Sequence, residues 1–151
     1  MKKYIKKIGI ALLVVFIGIQ FTPKTYNEST KVLTTDFMTA FDVPKNIESL
    51  LKNSCYDCHS NNTHYPWYNR IQPAAWFMES HINEAKEELN FSHFGDYSKR
   101  RQKSKLKSII SQITDNEMPL WSYTLIHQDA KLSEKDKEIL EEWIENLRDN
   151  L

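Results

Sequence analysis

Cys55-Tyr56-Asp57-Cys58-His59 holds both cysteines of this 151-residue chain and sets a histidine directly after the second. Thiols at that spacing with an adjacent imidazole read as a covalent attachment site for a c-type haem. Each thiol can add to one vinyl group, and His59, held under the porphyrin by two thioethers, can supply the proximal iron ligand. A chain organised in this way folds around its cofactor. Two competing readings share the C-x-x-C element. A thioredoxin-like dithiol calls for a βαβ setting, whereas the flanks here carry helical spacing. A structural zinc needs about four ligands, and only His59 and His64 stand near the two thiols.

The length suits one domain with an N-terminal extension, 1–25. Formal net charge is zero, so nothing in the charge balance points to nucleic acid. Lys2, Lys3, Lys6 and Lys7 precede an apolar run from Ile8 to Phe21 that only Gln20 interrupts, and Thr22-Pro23-Lys24 ends it. As a helix that run rises about 21 Å, against about 30 Å for a hydrocarbon core. The length resembles a signal peptide, yet no A-x-A-like cleavage site follows, and lysines at both ends can snorkel while the bilayer thins. An uncleaved anchor is the expectation, with a cleaved signal as the alternative. In both, the lysine asymmetry exports the remainder, placing the domain on the periplasmic side of an inner membrane, or free in the periplasm after cleavage. An exported cysteine pair permits haem attachment, and equally a plain disulfide.

Residues 26–41 are polar and without sustained period, and read as a tether. The folded domain is expected over 42–151. Asp42 and Pro44 can open a helix whose Ile47, Leu50 and Leu51 lead into Cys55. Tyr65, Trp67 and Tyr68 follow a turn and are candidates for the wall of a haem pocket, with Arg70 as a candidate propionate partner; ordinary core aromatics and a surface arginine are the plainer reading. A second helix opens at Pro73, with Ala74, Trp76, Phe77, Ile82, Ala85 and Leu89 as its apolar stripe. Met78, His81, His64 and His93 could each ligate iron, although such residues more often pack or face solvent. A third helix spans Tyr97 to Ile113, with Leu106, Ile109, Ile110 and Ile113 inward. Its basic run from Lys99 to Lys107 is a solvated face or a docking surface for an acidic redox partner or lipid head groups.

Met118, in Asn116-Glu117-Met118-Pro119, is the candidate distal ligand. Proline restricts the residue before it to extended backbone, which aims the thioether; a gap-filling core methionine is the alternative, and His127 is the competing ligand. The last helix carries a Ser133/Asp136 capping box and a stripe of Ile139, Leu140, Trp143, Ile144 and Leu147. Trp143 is expected to pack against the helix leading into Cys55.

The strings NSCYDCHSN (53–61), YPWY (65–68), LNFS (89–92), EMPLWSY (117–123) and LSEKDKEILEEWI (132–144) resemble the bacterial haem-binding domain family with a single C-x-x-C-H, over about residues 42–147. The resemblance implies an all-α, cytochrome-c-like domain around one covalently attached haem c, with Cys55, Cys58 and His59 at the attachment positions and Met118 at the Met-Pro position. Members tend to carry a proline-serine pair where this chain has Ala74-Ala75. They often have a histidine near His127. The family is defined by binding rather than by a reaction, and fold likeness supplies none.

The leading expectation is therefore an exported, membrane-anchored monohaem cytochrome in which His59 and Met118 ligate iron and electrons pass to protein redox partners; it is a carrier more than an enzyme. A haem sensor or peroxidase-like enzyme with an open distal site is the second reading, although no distal acid-base pair stands out. A thiol redox or metal-binding module is the third.

Overall fold

In the computed structural model, residues 2–29 and 31–151 are described, and they are all-helical with no strand among them. The N-terminal apolar run lies on helix α1 (Lys2–Ile19), whose side chains are exposed on every face. Among the described residues no helix is long and apolar enough to cross a membrane. Four lysines occupy the first two turns of α1, leaving only its remainder apolar.

Residues 26–41 were expected to be a tether, but Asn27, Thr35 and Phe37 within that stretch pack on the domain. The Asn27 amide donates to Tyr65 Oη (2.7 Å), and its side chain donates to Ser60 O and Thr63 Oγ1 (2.8 and 2.9 Å). Further on, Gly95 N donates to Thr35 O (2.8 Å). A side chain at Gly95 would put its Cβ 3.0 Å from Thr35 backbone atoms, a contact tight enough to favour glycine at this approach. The short helix α2 (Phe37–Ala40), capped by Asp36, then drives Phe37 into the centre of the core. Polar composition hid this because main-chain bonds and a single phenylalanine, rather than a periodic stripe, hold the segment down.

Helix α3 (Lys45–Leu51) begins after Pro44, and Asp42 makes no side-chain cap there. It continues through a π-helical turn, Lys52–Tyr56, into α4 (Asp57–His59), so one helical rod carries the C-x-x-C-H segment. π-turns in such rods recur at functional sites. A 3₁₀ turn over Trp67–Arg70 precedes α5 (Ala74–Glu88). On α5 only Ala75 and Ile82 are buried; Trp76 and Phe77, expected inward, are 40% and 60% exposed. After a 3₁₀ segment capped by Asn90 comes α6 (Lys99–Thr114), with Leu106 and Ile113 buried. The short α7 (Trp121–Thr124) and a 3₁₀ turn lead to α8 (Glu134–Asp149).

The core gathers where α8 packs on α6 and α3. Leu140 and Ile144 of α8 meet Ile47 and Leu51 of α3, Leu106 and Ile113 of α6, and an aromatic cluster. Phe37 sits edge-on to Phe94 (4.9 Å) and Phe91 (5.4 Å), and Trp143 closes on Phe37 at 6.0 Å. The capping box at the start of α8 is complete: Ser133 Oγ accepts from Asp136 N (3.2 Å), and Asp136 Oδ2 accepts from Ser133 N (2.9 Å). The Ser133 hydroxyl and amide hold the Asp136 carboxyl below its ordinary pKa.

Candidate functional site

Cys55, His59 and Met118 line one cavity of ≈ 380 Å³, whose wall is otherwise mainly apolar: Leu89, Phe91, Ile109 and Ile113. Two local devices deliver the three residues. Cys55 and His59 stand four apart on the rod, a spacing that puts side chains on one helical face. Met118 is set by the way α6 ends. Asn116 adopts a left-handed φ of 61°, its amide donates to Ile113 O, and the next amide, from Glu117, donates to Gln112 O (2.9 Å). That pair of bonds is a Schellman motif, with asparagine in place of the usual glycine. Met118 N donates to the same Gln112 carbonyl (3.1 Å), so the loop leaves α6 in a fixed direction.

The imidazole of His59 is oriented by α5. Its Nδ1 lies 3.0 Å from Ala85 O and 3.1 Å from Leu89 O. Carbonyl oxygens only accept, so Nδ1 carries the proton and Nε2 keeps its lone pair. Among the described residues Nε2 has no hydrogen-bond partner. Burial pushes the His59 pKa down; the two carbonyl bonds oppose that, and the charge of Lys105 reinforces it. The ring is thus neutral near pH 7 with one nitrogen free, the state a metal ligand requires. A backbone carbonyl on the other nitrogen is the usual support for such a ligand.

The thiols are in the opposite condition from reactive ones. Burial, and then the neighbouring Cys58, push Cys55 up to about 12; burial, and then Asp57, push Cys58 up to about 11. A dithiol catalyst needs an accessible thiolate stabilised by nearby positive charge. Nor does any group of three or more His, Cys, Asp or Glu suited to a metal ion occur among the described residues.

His127, the competing ligand, lies elsewhere. Its Nε2 is bonded to Tyr68 Oη (2.8 Å), and its ring stacks on Tyr123 at 4.3 Å. Tyr123 in turn donates to Asp57 Oδ2 (2.8 Å), so this cluster braces the turn between the two cysteines from outside. The three aromatics expected to wall the pocket do not line it: Tyr65 binds the Asn27 amide, Tyr68 binds His127, and Trp67 is 74% exposed. Arg70 lies with Tyr26 and His64 in a separate depression. Met78 lies off the cavity, and so do His81, bonded to Phe77 O, and His93, beside Asp96.

Their places are taken by residues the sequence reading passed over. Phe91 forms a wall, stacked on Tyr56 at 4.9 Å. Lys105, 3.5 Å from Glu88, supplies the positive charge, and both residues line the cavity. The signal was present on α6: Lys105, Ser108, Ile109, Gln112 and Ile113 repeat at helical spacing, but the polar members broke the apolar stripe and Lys105 was lost in the basic run.

Residues 14–146 match the haem-binding domain family. The chain belongs to that family. Searches of curated proteins and of solved structures returned no match. Membership makes this a haem-binding protein, and the cavity offers such a group Cys55, His59 and Met118, while Cys58 does not line it. Its volume is within the range of small-molecule sites, its wall is apolar, and an uncommitted imidazole nitrogen is paired with a thioether on the same cavity.

Proposed function

We propose that the protein is an exported c-type cytochrome that carries electrons through a single haem attached at Cys55 and Cys58 and ligated by His59 and Met118. The observation that carries this reading is the presence of Cys55, His59 and Met118 on one cavity, with the His59 ring already held in the ligating tautomer. Bound there, haem supplies a one-electron ferrous/ferric couple, and a methionine ligand raises its potential. The chain's own residues do the remainder. Ala85 and Leu89 orient the imidazole through their carbonyls, Phe91, Ile109 and Ile113 exclude water, and Lys105 is the cation available to a propionate. The cytochrome-c-like assignment rests on the same features, with the rod that carries Cys55 and His59, the end of α5 and the inner face of α6 around the site.

Export and anchoring rest on α1. Its lysines cluster ahead of its apolar run, the arrangement that retains an N-terminus in the cytoplasm; the lysine-free part of α1, 8–19, rises about 18 Å, so the anchor relies on snorkelling lysines and a locally thinned bilayer. The partners of the cytochrome would be other redox proteins. Both thiols are half-buried, and their raised pKa values weigh against a thiol redox module.

The decisive measurement is the spectrum of protein made with a haem-maturation system. A pyridine haemochrome of c type that survives acid-acetone extraction, with no carbon monoxide binding to the reduced form, is the expected outcome. Extractable haem would overturn the covalent link. Ready carbon monoxide binding would favour a sensor or peroxidase-like site.

A further inference from the structure

Helix α1 does not hang from a loose linker; it is bolted to the domain where it ends. Gln72 N donates to Gln20 Oε1 (2.9 Å), Gln20 Nε2 donates back to Gln72 O (3.2 Å), and Gln72 Oε1 accepts from Trp76 N (3.1 Å). Gln72 is completely buried in this junction. Around the junction stand large apolar side chains that the fold leaves uncovered: Phe21, Trp67, Ile71, Trp76 and Phe77, with Phe21 85% exposed. The C-terminal part of α1 is itself apolar on every face and exposed, and such a helix normally lies in protein core or lipid. The uncovered aromatics are therefore continuous with the apolar helix, and Lys24 donates to Arg70 O beside them.

We infer that this face of the domain, Phe21, Trp67, Ile71, Trp76 and Phe77, docks on the surface of the lipid bilayer that takes up α1. The inference rests on the anchoring reading above and adds an orientation to it. Tryptophan and other aromatics concentrate at the level of the lipid head groups, where an apolar ring and a polar edge are both accommodated. Exposed apolar patches of this kind mark interaction sites. Docking also suits the short anchor, because a domain seated in the interface lets the end of α1 lie within it instead of having to clear it. Helix α5 starts at this face and ends at the cavity, and its fifteen residues set the two about 22 Å apart along its axis. The redox site is thereby held away from the lipid, open to a partner.

The test uses the full chain with its haem in vesicles of phosphatidylethanolamine and phosphatidylglycerol. Benzoylphenylalanine is placed by codon suppression in place of Trp67, Phe77 or, as a control, the exposed Glu138 of α8. Flotation with the vesicles reads the anchor, and lipid adducts formed on illumination, detected by mass spectrometry, read docking. Flotation with adducts at positions 67 and 77 and none at 138 is the expected result. Flotation without adducts at 67 and 77 overturns docking while leaving the anchor standing. Equal adducts at all three positions overturn a defined orientation, and failure to float overturns the anchor and docking together.

Discussion

The two sides of the cavity are built to different standards of rigidity. His59 ends a continuous helical rod, and two carbonyls of α5 fix its ring. Met118 follows the end of α6 on a loop aimed by one left-handed asparagine and one shared carbonyl, Gln112 O. The His59 side is over-determined, and the Met118 side depends on a single backbone conformation. On the proposed reading, the first side would keep the haem and the second would tune it, so damage to the two sides should have different signatures.

The largest effect is expected from His59→Ala. Thioethers at Cys55 and Cys58 would still retain the haem, but the six-coordinate, low-spin absorption spectrum should be lost. A wild-type spectrum in this variant would assign the proximal ligand to another residue. Met118→Ala should instead leave the haem bound and open one coordination position. Its midpoint potential should fall by on the order of 100 mV, within the range of about 0.8 V that axial ligands command, and the reduced form should gain carbon monoxide binding. Spectroelectrochemistry checks both, and an unchanged potential would remove Met118 from the site. His127→Ala should alter neither property, since its Nε2 is already bonded to Tyr68.

Asn116 tests whether the loop does the aiming. A β-branched residue forced to a positive φ costs about 1–2 kcal/mol, so Asn116→Val should destabilise the protein by that amount and weaken the thioether-to-iron charge-transfer band as the loop shifts. Asn116→Gly, which tolerates the same φ, should leave both near wild type. Denaturant melts and near-infrared spectra distinguish the two variants. A normal band in Asn116→Val would show that Met118 is positioned by packing alone.

Sequence reading succeeded where a local rule fixes the answer and failed where tertiary contact does. The box at Ser133 and Asp136, the α8 stripe and the helical run into Cys55 all obey short-range chemistry, so they were legible. The approach of Met118 to that segment was anticipated from its proline, yet the device that aims it, Asn116 after α6, needs a dihedral angle to be seen. The carbonyls of Ala85 and Leu89 carry no side-chain signature at all, so the orientation of His59 was invisible. Tyr65, Trp67 and Tyr68 misled because nearness in sequence to His59 was read as nearness in space. The turn after His59 sends them to the outer side of the rod, against Asn27 and His127. The 26–41 segment misled for the converse reason, since one Phe37 in a polar stretch outweighs its composition once it is buried.

The smallest effect lies on the scaffold. Ser133→Ala removes the hydroxyl that accepts from Asp136 N, and a lost N-cap costs about 1 kcal/mol. The carboxyl of Asp136 is held below its ordinary pKa by the Ser133 hydroxyl first and the Ser133 amide second. Its unfolded-state pKa is about 3.9. For a depressed carboxylate the unfolded chain binds the extra proton, so its contribution is fully present above the unfolded value and fades as pH falls through the folded one. The stability difference between wild type and Asp136→Asn should therefore be constant from neutral pH down to about 4 and shrink below it, to a modest extent because the group is exposed and screened by solvent. Helix α8 contributes no side chain to the cavity wall. Both variants should consequently melt earlier while keeping the haem spectrum and potential of the wild type, and a shifted potential in Ser133→Ala would show that the scaffold and the Met118 side are mechanically coupled.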